Sequence, residues 1–299
     1  MSKQVRPFRL AGAFALILGL ALALPAALQA QALPTPKDFV SNLDVRCYKL
    51  NDLPPLNVPL RLDHLNPYFV GLGLPFENVV LQKPQELCVP VYKNNVQPPA
   101  TSLPFMRFVD WKCYGIAGPA LNLGIHLDHL NPQIPPLLGP SVDGTIREPQ
   151  QLCVPVRKNN QAIPAAVLNL IKWLDVKCYR FEAQQNVGGQ AILLNHLNPL
   201  FAAIPGQNAV FSPAPNPNQL CVPVKKNLQA PVPAAVLNIV QYSDVLCYPV
   251  QAPALNQALV LNHLNPVLTA MGLPAENVTA GATTKLCVPV AKNGFFPPG

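Results

Sequence analysis

Three short stretches in which apolar and polar residues alternate recur along the chain, and the period of two predicts strands. In residues 109–114, Val109, Trp111 and Cys113 fall on one face, and Asp110, Lys112 and Tyr114 fall on the other. Residues 174–179 repeat the phase, with Leu174, Val176 and Cys178 opposite Asp175, Lys177 and Tyr179. A second stretch runs into a histidine: Leu60, Leu62 and His64 share a side, with Arg61 and Asp63 opposite. His129, His196 and His263 end equivalent stretches, so each histidine continues an apolar face. The third stretch is Leu-Cys-Val-Pro-Val, at 87–91, 152–156, 220–224 and 286–290. Its proline has no N–H for a ladder, which predicts a sheet edge or an outward-facing nitrogen position.

Between the second and third strands each histidine opens His-Leu-Asn-Pro, at 64–67, 129–132, 196–199 and 263–266. Asparagine caps exposed helix N–H groups and proline at the first helical position loses nothing, so each Asn-Pro predicts a helix start. In the fourth copy the helix would end at Gly272 and Pro274; Pro135 and Pro136 make the second copy shorter or absent. Residues 164–170 and 233–239 fit a short helix or a strand equally.

With Asp-x-x-Cys-Tyr at 44–48, 110–114, 175–179 and 244–248, these landmarks come in fixed order four times, about 65 residues apart. They divide the chain into residues 33–96, 97–160, 161–227 and 228–299. The expected fold is mainly β: four tandem small disulfide-stapled β modules with short helical turns, each closing its own core. Thirty-seven prolines without a Gly-x-y period exclude collagen, and half the residues being apolar excludes a disordered chain.

Residues 1–32 read as an export signal. Lys3, Arg6 and Arg9 precede an apolar run from Leu10 to Leu24, and Ala30-Gln31-Ala32 gives a cleavage site after Ala32. An uncleaved anchor is the alternative, but the run is short of the ~20 residues a span prefers. The expected location is the periplasm or the cell exterior, with no membrane span in the mature chain.

Export changes the meaning of the eight cysteines, since an even number at regular spacing in an oxidising compartment predicts disulfides. Repetition leaves two sensible connectivities. Pairing within units gives Cys47 with Cys88, Cys113 with Cys153, Cys178 with Cys221 and Cys247 with Cys287, and treats every unit alike. Pairing each second cysteine with the next unit's first would strand Cys47 and Cys287. Zinc is a weaker rival, because no Cys-x-x-Cys knuckle is present.

Cleavage removes Lys3, Arg6 and Arg9 and no acid, taking the net charge from +7 to +4. Arg157-Lys158 and Lys225-Lys226 are the densest basic spots and are expected as solvated turn charge, so nucleic acid is not an expected partner. The aspartates of the Cys-Tyr landmark are likewise expected as solvated strand charge.

No Gly-x-Ser-x-Gly elbow, phosphate-cradling glycine loop or His-Glu-x-x-His helix occurs, so no catalytic residue and no cofactor are expected. His64, His129, His196 and His263 are expected to be structural, hydrogen-bonding a turn, since one imidazole per unit is too few ligands for zinc. His126 is unrepeated and falls on the polar face of its strand.

Cys-Tyr, a Val/Leu-rich strand ending in a polar pair, and Leu-Cys-x-Pro-Val-x-Lys-Asn together resemble an uncharacterised tandem repeat family of secreted bacterial proteins. The resemblance spans the mature chain and departs at Asp63-His64-Leu65 and its copies, where that family has Asp-Gln-Phe. It implies export and a repeated β architecture. It also implies a hydrogen-bonding role at the histidine position, and no mechanism. The expected function is a structural or binding role at the cell envelope or exterior, with an unknown protein or glycan ligand. A secreted enzyme with a site between repeats, or a metal-binding protein using the repeated histidines, is the alternative. Residues 139–148, 184–189 and 211–218 differ most between units and are the expected contact surfaces, with Asp143, Arg147, Gln184 and Gln185 among them.

Overall fold

The computed structural model describes Met1 and residues 32–299, other than 184, 186, 187, 214–216, 228 and 229. The export signal and Gln184 therefore lie outside the described residues, Met1 and Ala32 apart. The first unit supplies β1 (Val45–Leu50), β2 (Val58–His64), β3 (Glu77–Leu81) and β4 (Pro84–Lys93). The second supplies β5 (Trp111–Gly115), β6 (Leu123–His129) and β7 (Ser141–Lys158). The third supplies β8 (Val176–Ala183), β9 (Ala191–His196), β10 (Gln207–Phe211) and β11 (Gln219–Lys226). The fourth supplies β12 (Val245–Gln251), β13 (Gln257–His263) and β14 (Glu276–Lys292).

Within each unit the Cys-Tyr strand pairs antiparallel with the Leu-Cys-Val-Pro-Val strand: β1 with β4, β5 with β7, β8 with β11 and β12 with β14. Each pair also joins the next, through β4–β5, β7–β8 and β11–β12, and β14 returns to β1. Eight antiparallel strands thus close into a barrel without an edge, which removes the exposed backbone donors and acceptors of an open sheet.

The interior is layered along the barrel axis. The short helices α1 (Pro36–Val40), α2 (Leu103–Met106), α3 (Ala165–Ile171) and α4 (Ala234–Val240) fill one end with Phe39, Phe105, Leu170 and Ile239 among others. Residues 164–170 and 233–239, ambiguous by sequence, are therefore mainly helical. Below them lie four proline-facing pairs: Val45 with Pro90, Trp111 with Pro155, Val176 with Pro223 and Val245 with Pro289. Next come the disulfides Cys47–Cys88, Cys113–Cys153, Cys178–Cys221 and Cys247–Cys287, each joining residues directly opposite one another. Each closes a loop of 40–43 residues, for which chain entropy gives about 4 kcal/mol. Neighbouring disulfides also touch, with Sγ–Sγ distances of 3.8 Å for Cys88–Cys113, 3.7 Å for Cys153–Cys178, and 4.0 Å for both Cys221–Cys247 and Cys47–Cys287. The eight sulfurs form a continuous belt. Cys47 and Cys287 are neighbours across the closure, so the inter-unit connectivity would not have stranded them.

Outside the barrel, each remaining hairpin lies over the following unit. Leu60, Leu62, Val79 and Leu81 of the first unit pack on Tyr114, Leu152 and Val154 of the second. Leu259, Leu261 and Val278 of the fourth pack on Tyr48, Leu87 and Val89 of the first. The hairpins also add to strand tails two units away, as β2–β11, β6–β14, β9–β4 and β13–β7. No unit closes a core of its own: at roughly 1.5–3 kcal/mol per buried aliphatic side chain, the stabilising burial lies between units.

Two motifs of the sequence find their reason here. The proline of Leu-Cys-Val-Pro-Val lies inside a strand paired on both sides, not at an edge. Its carbonyl takes an N–H from the Leu after a histidine, as Leu197 to Pro90 at 2.9 Å, so its missing donor faces the seam where one neighbouring strand gives way to another. In Lys-Asn, the asparagine turns the chain with positive φ: 49° at Asn94, 47° at Asn159 and 43° at Asn293. Asparagine tolerates that region better than most residues. Among the described residues no helix is long and apolar enough to cross a membrane.

Candidate functional site

Four equivalent polar clusters sit where the hairpins meet the barrel wall. Each strand-end histidine reaches a tyrosine two units away: His64 Nε2 is 3.1 Å from Tyr179 Oη, His129 is 2.7 Å from Tyr248, His196 is 2.7 Å from Tyr48 and His263 is 2.8 Å from Tyr114. The environments then diverge. Tyr179 donates to Glu77 at 2.9 Å and Tyr114 to Glu276 at 3.1 Å. Those carboxylates pair with Lys177 and Lys112. Since a tyrosine has one proton and it goes to the carboxylate, His64 and His263 must donate through Nε2 and leave Nδ1 bare. In the third cluster Arg46 donates to Gln207 at 2.7 Å. In the His129 cluster, Leu246 stands in the cation's place, and His129 Nδ1 donates to the Gly139 carbonyl at 2.9 Å. Burial keeps all four rings neutral: His64 is pushed down to about 3, with Lys177 and Lys292 adding to the effect, and His196 and His263 to about 4. His129 is lowered for the same reason.

A second set of four clusters binds consecutive units near the helical end. Asp44, Asp110, Asp175 and Asp244 pair with Lys93, Lys158, Lys226 and Lys292 of their own units. They also accept from Asn131, Asn198, Asn265 and Asn66, each from the following unit in the ring. Each asparagine's Oδ1 in turn caps its helix or turn, taking the N–H of Gln133, Leu200, Val267 or Tyr68 at 2.9–3.0 Å. Every member is 4 % exposed or less. The solvated aspartates and the solvated Lys158 and Lys226 expected from sequence are thus buried; only Arg157 and Lys225 of those basic pairs reach solvent. The period-two pattern misled because both faces of a barrel strand are covered, one by the core and one by a hairpin.

The third assembly lies on the axis beyond the sulfur belt. Glu86, Gln151, Gln219 and Lys285, each two residues before a cysteine, converge from the four units. The Lys285 ammonium donates to Gln219 at 2.6 Å and Gln151 at 3.0 Å, and pairs with Glu86 at 2.6 Å. Burial opposes ionisation of Glu86, but the Lys285 charge and hydrogen bonds from Lys285, Thr284 and Gln151 together outweigh it and hold the carboxyl below its ordinary value. Beside this cluster opens a cleft of about 690 Å³ lined by Lys49, Asp52, Lys83, Gln85, Gln151 and Thr284. This position was missed from sequence, although its chemistry differs from unit to unit two residues before each cysteine.

On the outer surface His126 lies between Asp143 at 2.8 Å and Asp128 at 3.3 Å; the Asp143 bond foremost raises its pKa. Glu182 lines the same cleft as His126 and Asp143; it pairs with Arg147, and Arg180 pairs with Glu148. Of the other expected contact residues, Gln185 donates to the Leu138 carbonyl at 2.6 Å, and Phe211 is fully buried against Tyr248. Phe211 is core, because the divergent stretch begins while its strand still lies against the outside of the barrel wall. Among the described residues no group of three or more His, Cys, Asp or Glu is placed to hold a metal ion. No family model matches the chain, and no curated protein or solved structure matches it either.

Proposed function

We propose that this is an exported, non-catalytic protein with a structural or binding role at the cell envelope or exterior. The observation that carries this reading is the use of the repeated polar residues. His, Tyr, Asp, Lys and Asn of the landmarks are buried in bonds to one another, which fits a scaffold. Accessible polar residues that vary between units gather at the axial cleft and around His126, and repeat proteins carry recognition in such positions. Four disulfides and the resemblance to a secreted repeat family favour an oxidising location. The ligand would be a protein or glycan contacting the cleft through Lys49, Asp52, Lys83 and Gln85.

The test is affinity capture from the native envelope with the mature protein and with an Asp52→Ala/Lys83→Ala variant. That ion pair is exposed and 2.9 Å long, so its removal is expected to spare the fold. Capture by the wild type and loss in the variant, at equal thermal stability, is the expected result. Turnover of a generic hydrolase substrate that disappears in His64→Gln would overturn the non-catalytic reading.

A further inference from the structure

The Asp–Lys–Asn clusters have the makings of more than ion pairs. A lysine amine and an asparagine amide from successive units are held on one carboxyl group, in units two to four on its two different oxygens. The asparagine carbonyl receives a backbone N–H at 2.9–3.0 Å, the donor that would steady a developing oxyanion. Aspartate exposures of 0–3 % leave no room for solvent to keep the charged forms favoured.

We propose that each cluster is the site of an intramolecular isopeptide bond, joining Lys93 to Asn131, Lys158 to Asn198, Lys226 to Asn265 and Lys292 to Asn66. The neutral amine attacks Cγ of the asparagine and the Nζ–Cγ bond forms, while Oδ1 takes the negative charge against the backbone N–H. The aspartic acid delivers its proton to Nδ2 and collects one from Nζ. The Cγ–Nδ2 bond then breaks and ammonia leaves. Amine plus primary amide becomes secondary amide plus ammonia, and neither oxidant nor co-reactant is needed.

The electrostatics agree with the roles. Burial raises the Asp44, Asp110 and Asp175 carboxyls, and Asp244 to about 6, despite the lysine beside each. Burial likewise lowers the four lysines, favouring the free amine that a nucleophile needs. The product keeps Oδ1, so the helix caps survive. Because the fourth bond links the last unit to the first, the set would make the ring of units covalently continuous, whatever the protein binds.

Mass spectrometry of the mature protein, reduced, alkylated and denatured, tests this directly. The expected mass falls short of the sequence by one ammonia per cluster, up to four, and digestion yields branched peptides joining Lys93 to Asn131 and its equivalents. Asp110→Ala should restore one ammonia and remove only the Lys158–Asn198 branch. If that variant fails to fold, the wild-type peptide map alone decides. Full sequence mass with linear peptides would overturn the proposal. So would loss of water with lysine joined to aspartate, which would make the carboxyl the electrophile.

Discussion

Protonation of His64 should set part of the protein's acid sensitivity. In the folded chain its ring is buried between Phe69 and Tyr179, with Lys177 and Lys292 nearby, and titrates at about 3. In the unfolded chain it titrates at about 6.5. Between these values the unfolded state binds a proton that the native state refuses, so stability is fully present above pH 6.5 and declines as the pH falls towards 3. At about 1.4 kcal/mol per pH unit, His64 alone should cost roughly 2 kcal/mol on going from neutral pH to pH 5. The raised aspartates act in the opposite sense, because the native state holds their protons more tightly. The effect is therefore read as a difference between wild type and His64→Gln, whose side chain can still donate to Tyr179. Urea unfolding with the disulfides intact, at pH 7.5 and pH 5, should show the wild type losing about 2 kcal/mol more than the variant. Equal losses would refute the argument and mean that His64 is protonated in the folded protein at pH 5.

Three further outcomes follow from the geometry. Cys47→Ser/Cys153→Ser leaves Cys88 and Cys113, whose sulfurs lie 3.8 Å apart; thiol titration and peptide mapping should find them joined, whereas two free thiols would show the belt to be fixed in one register. Lys285→Met strands the Glu86 carboxylate among buried amides and should cost about 3–5 kcal/mol by denaturant unfolding, with most of it recovered when Glu86→Gln is added. A chain ending at residue 227 lacks two barrel strands and the hairpin over the first unit, so it should show no cooperative unfolding transition; a sharp one would mean the units fold independently.

Much of the local structure was legible without coordinates. The alternation before each cysteine and histidine placed the strands, Asn-Pro placed the helical turns that follow His64, His196 and His263, and the even, regularly spaced cysteines pointed to pairs such as Cys47–Cys88. These features depend on a few neighbouring residues, and the backbone chemistry of proline and asparagine decides them. What the sequence withheld was which unit each face would meet. Asp44 and Lys93 look like surface charge in a strand with one wet face, and only ring closure buries both faces. His64 finds Tyr179 two units away, Asn66 finds Asp244 across the closure, and Glu86 meets Lys285 on an axis that exists only once all four units are assembled. Repetition tells a chain to build the same strands four times. Whether four hairpins each cover their own unit or the next is a choice between nearly identical apolar surfaces. Shared burial and the closing of the barrel decide it, and both are properties of the whole molecule.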